Sequence, residues 1–190
     1  MIISLYIYNN SNLINNPILP KRIKEHTSNY KNDSKRIISE SNYYRLCNKL
    51  NELNIDINTF DFIKNKPIVN GKYISCAHTN KYYGFSISNL ENGIDFEEII
   101  SEERIGKFAN RILKENELKI YNEENNKAIY LTKIWCEIEA AGKLDGNGID
   151  MKFIHPNYIY KSFMIDDTMF VLAAKEEFTI ELYVNDVKRG

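Results

Sequence analysis

Asp95 and Glu97 lie two residues apart in the run Asn92 to Ile99, which follows the polar turn Asn89 to Asn92 and reads as a short strand. The period of a strand puts both carboxylates on one face. Further along, Ile129, Leu131, Ile134, Trp135, Ile138 and Ala141 recur at helical intervals until Gly146 and Gly148 end the pattern, and Glu139 and Lys143 are i and i+4 on that helix. If helix and strand pack together, Asp95, Glu97 and Glu139 converge into an all-oxygen site. Such a site favours a hard cation, Mg²⁺ or equally Mn²⁺, that keeps some waters and completes its shell with phosphate. Lys143 would neutralise the same phosphate, so the chemistry on offer is that of a diphosphate. The spacing alone is also that of ordinary solvated charges: a D-x-E on an open strand and a Glu/Lys pair on a helix surface.

The elements that would position these residues are legible from periodicity. Met1 to Tyr8 alternates as an opening strand, Pro17 and Pro20 bound a loop, and Lys21 to Asn29 forms a short helix. Ile37, Ile38, Tyr44, Leu46, Cys47, Leu50 and Leu53 predict a helix from about Ser34 to Leu53, capped by Asp33 or Ser34. Phe60 to Ile63, Tyr73 to Ala77 and Tyr83 to Ser88 read as strands, with Asn70-Gly71 as a tight turn. In the second half Ser101 to Tyr121 holds two short helices, and the long helix spans about Asn125 to Leu144. Strands follow at Lys152 to Ile154, Tyr158 to Ile165, Thr168 to Ala174 and Thr179 to Val184. Strand, helix and strands thus occur twice, with a boundary near Glu91.

Composition narrows the function classes. The 190 residues bury a substantial core, and 25 Lys and Arg against 26 Asp and Glu leave a net charge of −1. Interspersed signs of this kind lack the electrostatic footprint of a nucleic-acid binder. Cys47, Cys76 and Cys136 fall in apolar-periodic segments, which predicts three buried, reduced thiols and a cytoplasmic setting. No segment approaches the roughly 18 apolar residues of a membrane span.

The two acidic motifs, in this order, resemble the signature of the 4'-phosphopantetheinyl transferases, G-[IV]-D-x-E followed by W-[ST]-x-K-E-[AS]-x-x-K-x-x-G-x-G. Gly93, Asp95, Glu97, Trp135, Glu139, Lys143, Gly146 and Gly148 fall on motif places. Cys136 stands where Ser or Thr is usual, and Ile138 replaces the lysine before the glutamate, removing a positive charge beside the expected site. Upstream, Lys66-Pro67 resembles the family's G-K-P. The run Tyr73 to Thr79 resembles its N-[IL]-S-H-[ST], with Ala77 before the histidine and Asn80 in place of the following glycine. Asp33 to Arg36 is similar to the family's D-x-x-R segment, and Lys21 and Lys24 lie one residue out of register with the basic pair that precedes it.

The resemblance implies an α+β fold: two similar halves, about 1–91 and 92–190, related by a pseudo-twofold within one compact unit, with coenzyme A in the cleft between them. This is the monomeric, pseudo-dimeric architecture of the surfactin-synthetase-activating type. It implies Mg²⁺-dependent transfer of the phosphopantetheine arm of CoA to a serine of an apo acyl or peptidyl carrier protein, releasing 3',5'-ADP. Asp95, Glu97 and Glu139 would be metal ligands, Glu139 and Lys143 catalytic, and Lys143 a diphosphate contact as well. Arg36 and His78, with Lys21 and Lys24, would bind the 3'-phosphate, and Lys66 and Pro67 would border the adenine. Trp135 is expected to anchor the helix rather than touch ligand. Ile138, Ala77 and Asn80 motivate a second reading, a CoA- or nucleotide-binding member that has lost transfer; a third is an unrelated α+β interaction domain.

Overall fold

The computed structural model describes residues 1–9, 13–146 and 157–189. Among these the chain runs β1 (Ile2–Asn9), α1 (Lys21–Thr27), α2 (Asp33–Glu52), β2 (Asp61–Ile63), β3 (Lys66–Val69), β4 (Lys72–His78) and β5 (Tyr82–Ser88). It continues through β6 (Asn92–Glu98), α3 (Glu102–Ile112), α4 (Glu115–Glu123), α5 (Lys127–Asp145), β7 (Ile159–Ile165), β8 (Thr168–Ala174), β9 (Thr179–Val184) and β10 (Val187–Arg189). The architecture is mixed α+β, as the sequence predicts. The expected strand at Lys152 to Ile154 and the motif glycine Gly148 lie outside the described residues.

Two sheets form. The larger has the order β10-β9-β1-β5-β4-β3-β2 and the smaller the order β6-β8-β7. β9 and β10 belong to the larger sheet, where β9 pairs in parallel with β1, Ile2 opposite Thr179. Alternation along β1 divides the core: Tyr6 joins Leu46, Leu50 and Phe85 beneath α2, whereas Ile3, Leu5 and Ile7 face the smaller sheet and meet Ile94, Phe96, Phe170 and Leu172. The far side of β8 supplies Met169, Val171 and Ala173 to pack against Cys136, Ala140 and Leu144 of α5. β8 is therefore buried on both faces, which explains its unbroken apolar run. The layers run helix, sheet, sheet, helix, with α3 and α4 packed outside α5 around Leu131, Ile134 and Ile138.

Local signals set the connections. Asn32 and Asn126 cap α2 and α5 by accepting the amides of Lys35 and Ile129. Asn70 and Gly71 both adopt positive φ, the mirror-image turn that Asn-Gly favours. Lys64-Asn65 and Asn185-Asp186 do the same without a glycine, which is why the hairpins β2–β3 and β9–β10 are harder to see in sequence.

Candidate active site

The smaller sheet meets the larger at β4 and β6, where the amide of Ile94 donates to Ser75 Oγ at 3.0 Å. Ile94 and Phe96 point between the sheets, so Gly93, Asp95 and Glu97 face α5. A Cβ on Gly93 would lie 2.0 Å from the carbonyl oxygen of Ala140 and 2.7 Å from the nitrogen of Leu144. A side chain there would push α5 away, and glycine lets the helix settle directly on the strand. That approach brings Glu139 and Lys143 over Asp95 and Glu97.

All four line one cavity of about 520 Å³, together with Pro67 and His78. Asp95 is buried, 4 % exposed; Oδ1 accepts from Lys143 Nζ at 2.8 Å, and Oδ2 has no hydrogen-bond partner. A buried carboxylate oxygen without a partner is costly unless something cationic comes close to it. Burial, and then the charge of Asp95, push Glu97 and Glu139 up to about 7. For Lys143 burial works downward, but the charge of Asp95 and its hydrogen bond outweigh it, and the ammonium ends above its ordinary value. The cluster is thus short of positive charge with one lysine in place. Among the described residues no three acidic, histidine or cysteine side chains stand close enough to hold one ion in the present arrangement, in which Lys143 takes the place beside Asp95. The donors fit a hard cation in kind: three carboxylates, one with a free oxygen.

His78 ends β4 at the cavity rim. Burial, followed by the nearby charge of Lys143, holds its imidazole below the ordinary range against the opposing pull of Asp95, and Lys35 adds to the lowering. Lys66 lines the cavity beside Pro67. Its ammonium donates to the carbonyl of Leu144 at 2.8 Å and to Glu91 Oε1 at 3.1 Å. The three remaining basic candidates do not line the cavity: Arg36 pairs with Asp33 at 3.0 Å, Lys21 pairs loosely with Glu25 at 3.8 Å, and Lys24 is exposed on α1. Lys21 and Lys24 are exposed on α1, and Arg36 is half-buried near the start of α2.

Several wall residues escaped the sequence reading. Ser39, Asn42 and Tyr43 of α2, His26 of α1 and Tyr30 after it also line the cavity. The signal was present on α2, where Ser39 and Asn42 interrupt the inward stripe of Tyr43, Leu46 and Leu50; polar residues on a buried face usually answer to something polar. His26 stacks on Phe62 with ring centroids 4.1 Å apart and carried no such signal. Cys76, expected in the core, is half-buried and lines the cavity, while Cys47 and Cys136 are buried as expected and all three are free. Burial raises the Cys76 thiol to about 12 and holds Cys136 well above its usual value, so neither is an available nucleophile.

Two of the substitutions that set this chain apart, at Ile138 and Ala77, point away from the cavity. Ile138 is 2 % exposed and packs with α3 and α4, and Ala77 lies between the sheets. The expectation that Ile138 removes a charge beside the site is therefore corrected: the position belongs to the core. Trp135 sits against Phe108, centroids 5.1 Å apart, as an anchor of α5 outside the cavity.

A strand-borne pair of carboxylates thus faces a helix-borne glutamate and lysine at the junction of two sheets, a donor set rich in oxygen with one cation beside it. Residues 91–181 match the family model described as the 4'-phosphopantetheinyl transferase superfamily. The chain therefore carries a domain of that superfamily, which supports a transferase. The matched stretch runs from the residue before β6 into β9 and contains Asp95, Glu97, Glu139 and Lys143; Lys66, Pro67 and His78 precede it. None of the curated proteins compared with the chain matches it. No helix among the described residues is long and apolar enough to cross a membrane.

Proposed function

We propose that this protein transfers the phosphopantetheine arm of coenzyme A to a serine of an apo acyl or peptidyl carrier protein and releases 3',5'-ADP. The observation that carries the proposal is the convergence of Asp95, Glu97, Glu139 and Lys143 on one cavity, with Asp95 Oδ2 buried and unpartnered. In the transfer, the serine oxygen forms a bond to the phosphorus bearing the pantetheine, the bridging P–O bond of the diphosphate breaks, and the serine proton leaves to a base. Glu139, held near neutrality by its surroundings, suits that base. Lys143 would contact the diphosphate and neutralise charge on the departing oxygen. Asp95 and Glu97, with Glu139, would hold Mg²⁺ or Mn²⁺, which supplies electrostatic stabilisation of the diphosphate. His78 would take the 3'-phosphate and Pro67, with Lys66, would border the adenine; all three line the cavity.

The burial of Ile138 and Ala77 away from the cavity favours this reading over a binding protein that has lost transfer, because neither departure alters the wall. A single cytoplasmic unit, monomeric and made of two halves related by a pseudo-twofold, goes with the same reading and places it with the broad-specificity, surfactin-synthetase-activating type. The test is intact-mass analysis of several apo carrier proteins incubated with the protein, CoA and Mg²⁺. The expected result is a gain of one phosphopantetheinyl group on at least one carrier, absent with Asp95→Ala; no gain on any carrier would overturn the proposal.

A further inference from the structure

We infer that Lys66 is a positioning residue, a clasp that fixes the last turn of α5 and through it Lys143, rather than a group that touches the ligand with its side chain. The last carbonyls of a helix lack partners within it, and a lysine ammonium satisfies them while matching the negative end of the helix dipole. Lys66 Nζ does this for Leu144, the residue next to Lys143, at 2.8 Å. It also donates to Glu91 Oε1 at 3.1 Å, just before the strand that carries Asp95. On another side its ammonium lies over the ring of Tyr73, 5.9 Å from the centroid. With its side chain 15 % exposed, little of this cation is left for a ligand.

The backbone beside it reinforces the join. Gly146 ends α5 with φ of 70°, its amide bonded to the Gly142 carbonyl at 3.0 Å, and a Cβ there would lie 2.4 Å from the carbonyl oxygen of Lys64. The β2–β3 turn thus rests on the end of the helix, and Lys66 locks it there. Three elements of the site meet at one ammonium: β3 with Pro67, the approach to β6 with Asp95, and the end of α5 with Lys143.

The test combines hydrogen exchange of the amides from Leu144 to Gly146, measured without ligand, with kcat/KM for CoA. It compares the unaltered protein, Lys66→Met, Lys66→Arg, Glu91→Ala and the double variant Lys66→Met/Glu91→Ala. Losing charge-assisted hydrogen bonds of this kind is worth about tenfold, so Lys66→Met should raise exchange in the last turn and lower kcat/KM by about that factor. Glu91→Ala should act in the same direction but less, the double variant should be no worse than Lys66→Met, and Lys66→Arg should recover most of both losses. Unchanged exchange together with weakened CoA use in Lys66→Met would mean direct ligand contact and overturn the inference, as would independent, multiplying effects of the two substitutions. Should Lys66→Met fail to fold, Glu91→Ala and Lys66→Arg carry the same comparison. The kinetic arm rests on the transferase reading; absence of transfer by the unaltered protein would count against that reading alone, because exchange is read without CoA.

Discussion

Gly93→Ala tests how the site is assembled. The added carbon would lie 2.0 Å from the Ala140 carbonyl oxygen, and backbone cannot turn aside as a side chain would. Restoring an ordinary carbon–oxygen separation of about 3.3 Å requires the helix to lift by about 1.3 Å over Gly93. Overpacking of a tight core costs ~1–3 kcal/mol, and at this chain length each kcal/mol lowers Tm by ~2–4 °C, so the melting temperature should fall by several degrees. The catalytic loss should be larger in proportion, because a displacement of about 1 Å of a positioned group costs on the order of 100-fold in rate. The assays are thermal unfolding and the mass-shift assay on a reactive carrier protein. Gly106→Ala is the control: it lies on α3 with nothing within 4 Å of its added carbon, and alanine there should hold or slightly raise stability. If Gly93→Ala melts and turns over like the unaltered protein, the close seating of α5 on β6 does not position Glu139 and Lys143, and the account of the site fails.

Four further outcomes follow. Asp95→Asn keeps the size of the side chain and an acceptor for Lys143, so circular dichroism should be unchanged while transfer drops at least ~100-fold; normal turnover would remove Asp95 from the chemistry. Ile138→Lys places an ammonium in a site 2 % exposed among apolar side chains, and the cost of at least ~2 kcal/mol should appear as a lowered Tm with no gain in activity. An active variant of full stability would return this position to the neighbourhood of the site. Lys143→Met removes the cation beside Asp95, and at such separations this should strengthen Mn²⁺ binding without CoA by about tenfold or more, read by electron paramagnetic resonance; unchanged or weaker binding would show that Lys143 does not compete for the place. Glu97 and Glu139 are raised to about 7 in the folded protein, so their burial costs stability progressively as pH rises from the unfolded carboxylate range through about 7. A cation that offsets their charge should therefore raise Tm more at about pH 8 than at about pH 6, and a shift independent of pH would disconnect the cation from these two groups.

Much of this was legible in sequence because it depends on period. Two-residue spacing put Asp95 and Glu97 on one face, four-residue spacing put Glu139 beside Lys143, and long apolar-periodic segments marked α2 and α5 to within two residues. What escaped depends on contacts between segments far apart in the chain. Whether Ile138 faces the cavity or α3 is decided by how α5 is rotated against its neighbours. Neither the site of action of Lys66 nor the distance of Arg36 from the cavity has a local signature. The turns at Lys64-Asn65 and Asn185-Asp186 were hidden because their left-handed residues are not glycine.

The pairing of β1 with β9 has a consequence for how the molecule comes into being. β1 is synthesised before every other element of the fold, and its parallel partner β9, with Ile2 opposite Thr179, follows β2 to β8. Until then β1 carries an open hydrogen-bonding edge beside Ile3, Leu5 and Ile7, a template for pairing with other chains. Closure over so long a loop is slow, so the docking of β9 onto β1 should come late in folding. Cutting the chain near Glu91 would accordingly yield two pieces that each expose a sheet edge. They should stay soluble only when produced together, each acting as the other's missing strand.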